Sequence, residues 1–164
     1  MNRVITKSLL ALAMFSVMGS AMAVQKDITV TATVDAALDM TQSDGTALPK
    51  NIDMQYFPGT GLAPVSLQTK IWANDVAKDV KMRLANDFTL VNNLGGATVP
   101  MSVKWGNQVL TTTDATMKAT DLFPNTSTAL KTGSVAKPLL ISQATQEALE
   151  TGTYQGVVSI YLYQ

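Results

Sequence analysis

The stretch VQKDITVTATVD, Val24 to Asp35, alternates apolar Ile28, Val30, Ala32 and Val34 with polar Asp27, Thr29, Thr31, Thr33 and Asp35. That is the period of a strand that buries one face. What covers the face decides the fold. The pattern by itself favours an ordinary first strand of the chain's own sandwich, and it also suits a strand that inserts into a groove elsewhere. A chain end frays unless something ties it down.

The residues upstream explain why Val24 reads as an end. Arg3 and Lys7 form a short basic start, and Leu9 to Gly19 is an apolar run too short to span a bilayer comfortably. Ala21-Met22-Ala23 then fits the small-x-small pattern of a signal-peptidase site, which places cleavage between Ala23 and Val24 and sets residues 1–23 aside as a signal peptide. Removing those 23 of the 164 residues leaves 141, a normal size for one domain with a real core.

Composition narrows the function. Without Arg3 and Lys7, 10 basic side chains face 12 acidic ones, so there is no electrostatic reason to expect nucleic acid or an anionic membrane surface as partner. The chain has no cysteine although it is exported, so its stability must come from packing or from neighbouring subunits. It also has no histidine, the commonest general base and metal ligand.

Downstream, short alternating runs are divided by turn signals. Asn51 to Phe57 places Ile52, Met54 and Tyr56 on one face and stops at Pro58-Gly59. Ser66 to Ala73 and Asp79 to Asn86 alternate as strands. Val99 to Thr112 reads as a hairpin around Gly106-Asn107, a type II′ connection that pairs Trp105 with Gln108 and Val103 with Leu110. Pro100 lacks an N–H and points to an edge or bulge at that end. DATMKATDLF suggests a helical turn, NTSTALKTGS a loop, Lys137 to Gln143 a strand and ATQEALE another helical turn. Thr153 to Gln164 closes the chain as a strand with Tyr154, Gly156, Val158, Ile160 and Leu162 on one face. Many short strands with almost no helical periodicity read as an all-β sandwich.

Candidate chemistry is thin. Ser134-Val-Ala-Lys137 matches S-x-x-K, Lys131-Thr132-Gly133 matches K-T-G, and Ser43-Asp44-Gly45 is near S-D-N. In penicillin-recognising enzymes the first motif opens a helix and the second comes last on a strand; here the order is scrambled, the two abut and Pro138 follows the lysine. Asn125-Thr126-Ser127 is a glycosylation sequon in what reads as a polar surface loop. Asp75 and Asp79, or Asp114 and Asp121, lack the dense spacing of a calcium loop and read as solvated turn carboxylates. Trp72 and Trp105 suit the core or sheet surface better than a sugar platform. No catalytic residue, metal site or cofactor is expected.

KDITVTATVDAALDMTQSDGTALP resembles the opening of the class 5 (alpha) chaperone–usher major pilins. The resemblance continues through IWANDVAKDVKMRLA, VPMSVKWGNQVLTTT and GTYQGVVSIYLYQ, over nearly the whole chain after residue 23. Gly152-x-Tyr154-x-Gly156-x-Val158 and Tyr163 are shared more widely among chaperone–usher pilins. One departure is Ala36, where relatives such as colonisation factor antigen I carry proline after the Val-Asp pair, so a proline switch there is not carried over.

The resemblance implies a major structural subunit of a bacterial surface fimbria, an incomplete immunoglobulin-like sandwich completed by a donor strand from the neighbouring subunit. It assigns residues 24–35, with Ile28, Val30, Ala32 and Val34 facing inward, as the donor, and residues 36–164 as the pilin domain. The acceptor groove and C-terminal edge strand would comprise Tyr154, Gly156, Val158, Ile160, Leu162 and Tyr163. The implied partners are identical subunits in a homopolymer, a periplasmic chaperone, an outer-membrane usher and a tip adhesin, and the implied route runs through the periplasm to the cell surface. The alternative is the tip adhesin itself, but a tip carries an extra receptor-binding domain for which 141 residues leave no room, and it needs no donor strand.

Overall fold

The computed structural model describes residues 29–32, 37–95 and 98–164. The chain divides into two compact units, Met1–Thr33 and Val34–Gln164. In the first, Thr29–Ala32 carry no assigned strand and are exposed. Ile28, Val34 and the expected cleavage pair Ala23–Val24 lie outside the described residues.

The second unit is an incomplete immunoglobulin-like all-β fold. Its strands are β1 (Leu38–Gln42), β2 (Tyr56–Phe57), β3 (Gly61–Leu62), β4 (Val65–Ala73), β5 (Val80–Leu84) and β6 (Thr89–Asn92). There follow β7 (Thr98–Trp105), β8 (Gln108–Leu110), β9 (Ala115–Met117), two short helices α1 (Ala119–Leu122) and α2 (Thr126–Thr132), then β10 (Lys137–Gln143), β11 (Tyr154–Gln155) and β12 (Ile160–Tyr163). The larger sheet runs β1-β4-β10-β7-β6-β11, with β8 also on β7; the smaller runs β12-β5-β9; and β2 pairs β3. Every described pair is antiparallel.

The core lies between the sheets because each strand alternates. β5 reads buried, exposed, buried through Val80, Lys81 and Met82, and β7 buries Val99, Met101, Val103 and Trp105. Ile71 from β4, Leu122 from α1 and the adjoining Phe123 complete it. The Trp105 indole N–H in the core donates to Thr69 Oγ1 at 2.8 Å, and the Thr69 hydroxyl donates to the Lys137 carbonyl at 2.9 Å. The hairpin register is Trp105 opposite Gln108 and Val103 opposite Leu110. Gly106 has φ 58° while no non-glycine residue among those described has positive φ, which is the type II′ signature.

Five local expectations need correction. Of Asn51 to Phe57 only Tyr56–Phe57 is a strand; the Gln55 carbonyl accepts from Ala63 N–H at 2.7 Å and the pairing goes no further. NTSTALKTGS contains α2, closed by Gly133 N–H donating to the Ala129 carbonyl at 2.8 Å. ATQEALE forms no helical turn: Gln146 Nε2 donates to the Leu62 carbonyl at 2.9 Å and the Glu147 carbonyl accepts from Gln143 Nε2 at 3.2 Å, which draws the segment onto β3. Pro100 sits in an interior strand, between β6 and the residue after β10; its carbonyl accepts from Ala144 N–H at 2.9 Å, so its missing donor faces the end of β10. The terminal strand is not continuous. It breaks over Gly156–Ser159, and its two pieces belong to different sheets.

Candidate strand-accepting slot

The break in the terminal strand positions the site. A Cβ on Gly156 would collide with the Thr89 carbonyl oxygen and press on Phe88 and Leu90. Only glycine lets the backbone pass this close to β6 as it crosses from the larger sheet to the smaller. Ser159 is then caught by its carbonyl, which accepts from Ala85 N–H at 2.9 Å, and β12 pairs with β5, Ile160 opposite Leu84 and Leu162 opposite Met82.

β12 ends the smaller sheet and β1 ends the larger one. The two terminal strands lie beside each other, with Cα atoms within 8 Å, yet exchange no ladder pairing among the described residues. β12 presents a free strand edge, the usual template for strand addition, whereas on β1 Met40 N–H already donates to Asp39 Oδ1 and Gln42 N–H to the Thr46 carbonyl, both at 2.8 Å.

Side-chain burial follows the same seam. Inward residues of β5, β7 and β10 are mostly fully buried, whereas Tyr154, Val158, Ile160 and Leu162 are half-buried and Leu38 on β1 likewise. Ile160 and Leu162 of β12 and Leu38 of β1 leave the core partly uncovered along their shared edge, while Tyr154, on β11, lies at the other edge of the larger sheet. Of the groove positions expected from the sequence, then, Tyr154, Val158, Ile160 and Leu162 share the inner face, Gly156 makes the crossing, and Tyr163 lies on the outer face. Leu38 and Met40 join the inner face without having been expected there. Their alternation with Asp39 and Thr41 in LDMTQ was the available signal.

The outer face of β12 is polar and tied down. Tyr161 stacks with the Arg83 guanidinium at 4.8 Å and Tyr163 with the Lys81 ammonium at 5.8 Å. Arg83 Nε lies 3.5 Å from Asp114, and a hydrogen bond to the Asp114 carboxylate holds the Tyr163 phenol above its ordinary pKa. Charges therefore anchor the outside of the strand to β5 and leave the inner face wholly apolar.

The remaining candidates take part in local contacts. The Ser134 hydroxyl accepts from Ile71 N–H at 2.9 Å and donates to the Val135 carbonyl at 2.9 Å, which joins the end of α2 to β4. Lys137 Nζ lies 4.9 Å over the Trp105 ring. Asp79 accepts from Ala119 N–H at 2.8 Å and Asp75 holds Lys78 at 3.0 Å. No group of three or more metal-ligating side chains occurs among the described residues. Trp72 donates to Thr41 Oγ1 at 2.8 Å.

The chain is similar to several known proteins. The family model described as CS1 type fimbrial major subunit matches residues 24–163. A CFA/I fimbrial subunit of Escherichia coli is 37% identical over 158 residues, covering 93% of this chain and 92% of the relative. A CS1 fimbrial subunit of Escherichia coli is 38% identical over 154 residues, covering 91% and 90%. The solved CooA pilin subunit from enterotoxigenic Escherichia coli superposes with a TM-score of 0.68 at 34% identity, covering 77% of this chain and 86% of that one.

Proposed function

The chain belongs to the CS1 type fimbrial major subunit family, and from that premise we propose that it polymerises by strand donation: residues 24–35 of one copy fill the slot beside β12 of the next. It is a structural subunit of a surface fimbria. The donor carries Ile28, Val30, Ala32 and Val34 on one face; the acceptor carries Tyr154, Val158, Ile160 and Leu162, with Gly156 at the crossing and Tyr163 on the outer face of the edge strand.

The observation that carries this reading is the pair of terminal strands with a half-covered apolar seam between them. Val30, 87% exposed, is the kind of side chain that seam lacks. Burying Ile28, Val30 and Val34 contributes roughly 1.5–3 kcal/mol each, and each ladder hydrogen bond adds about 1 kcal/mol. A junction of this size opens slowly. Because donor and acceptor surfaces differ, the contact is head-to-tail and does not close.

The same slot needs cover before assembly. A periplasmic chaperone strand fills it in transit, after removal of residues 1–23; an outer-membrane usher exchanges that strand for the next subunit's donor; and a tip adhesin caps the fibre. The start of the family match at residue 24 supports the cleavage position. The protein works without a catalytic site, metal or cofactor, and without nucleic acid.

Deleting Val24–Val34 tests the reading. The truncated protein retains its slot, so it still binds chaperone but gives no SDS-resistant ladder on its own. Long fibres from the truncated chain alone would refute donation by this segment.

A further inference from the structure

After Val30 and Val157, both on segments already assigned to the slot, Leu94 is the most exposed large apolar side chain among the described residues, at 74%. It sits in the turn after β6, where its N–H donates to Asn92 Oδ1 at 3.0 Å and Asn92 Nδ2 donates to the Thr151 carbonyl at 3.3 Å. Asn93 N–H donates to the Thr153 carbonyl at 2.9 Å. Leu94 is thus fixed at the end of the pilin domain where the C-terminal stretch begins.

The opposite end carries the turn between β4 and β5. Gln164 Nε2 donates to the carbonyls of Asp75 and Lys78 at 2.6 and 3.3 Å. Asn74 N–H donates to the Ala37 carbonyl at 3.2 Å. β12 therefore ends, and β1 begins, beside Asp75–Lys78.

A strand added antiparallel to β12, as every described pair is, runs from the Gln164 end toward the Tyr154 end. In sequence only Ala36 and Ala37 separate Asp35 from β1, a reach of about 10 Å. The donating copy's own domain must then start close to the Tyr154 end of the acceptor, and it arrives with its Asp75–Lys78 end foremost.

Resting on the strand-donation reading, we propose that the Leu94 turn of each copy docks on the Asp75–Lys78 turn of the next, with Leu94 covered by Val76 and Ala77. Val76 is half-buried and Ala77 exposed, so an apolar surface is available there. This second head-to-tail contact repeats with every junction and stiffens the fibre.

The chain has no cysteine, which allows a direct test. Fibres of the full chain carrying Leu94→Cys and Ala77→Cys, treated with a short bismaleimide, are expected to give a covalent ladder of many rungs that survives boiling in SDS. Each single variant, and the pair Leu130→Cys with Ala77→Cys, are expected to give none. Leu94→Asp is expected to leave the unboiled SDS ladder intact while shortening the fibre persistence length at least twofold in electron micrographs. Normal fibres with no covalent ladder from the Leu94–Ala77 pair, or a Leu94→Asp fibre as stiff as the parent, would overturn the docking contact. Loss of the unboiled ladder from the unmodified chain would instead overturn strand donation itself.

Discussion

Leu162 stands opposite Met82 across the β12–β5 ladder, and only one of the two is covered: Met82 is fully buried and Leu162 half-buried. β12 ends its sheet, and no strand among the described residues pairs with its far side. That makes the inner face of β12 the place where a substitution should affect assembly most.

Ile160→Asp and Leu162→Asp each place a carboxylate where the incoming strand must seal, at a cost of several kcal/mol once the slot is filled. Tyr161→Asp projects outward beside Arg83 and is expected to be tolerated. Binding of a synthetic KDITVTATVD peptide to each variant checks this. Equal loss at all three positions would contradict a one-faced slot.

The donor should show the matching alternation. Ile28→Asp and Val30→Asp are expected to abolish SDS-resistant ladders, since each strands a charge in an apolar groove. Thr29→Asp and Thr31→Asp are expected to retain them. Ladders that fail alike at all four positions would contradict insertion of one face.

Gly156→Ala tests the crossing. The added Cβ points at the Thr89 carbonyl, so β6 or the terminal segment must shift. We expect a loss of about 1–3 kcal/mol, read as a melting temperature lower by several degrees in the protein with its slot filled. An unchanged melting temperature would show that the sheets tolerate a wider passage.

How far the sequence exposed all this varied with how local the cause was. VPMSVKWGNQVLTT could be read to its register because alternation and the Gly106 turn are both local. Ser66 to Ala73 and Asp79 to Asn86 were legible for the same reason. The break at Gly156 was not, because it answers to the Thr89 carbonyl, 67 residues away in sequence. α2 was hidden by its threonines and serine and by having a single buried residue, Ala129. ATQEALE has helix-forming residues but is claimed by side-chain amides of Gln143 and Gln146. The inner face of β12 was visible as period-two alternation, whereas its missing neighbour could be recognised only through the family resemblance and the sheet order.

The most direct measurement fills the slot in cis. A copy of KDITVTATVD is appended after Gln164 through a short flexible linker, and the native Val24–Val34 is removed. The tethered strand has an effective concentration in the millimolar range and can turn back antiparallel onto β12. The expected result is a soluble, chaperone-independent monomer whose melting temperature exceeds that of the unfilled protein by on the order of 10–20 °C. An unmodified chain from Val24 onward that is already a stable monomer, and that gains nothing from the appended strand, would contradict the account.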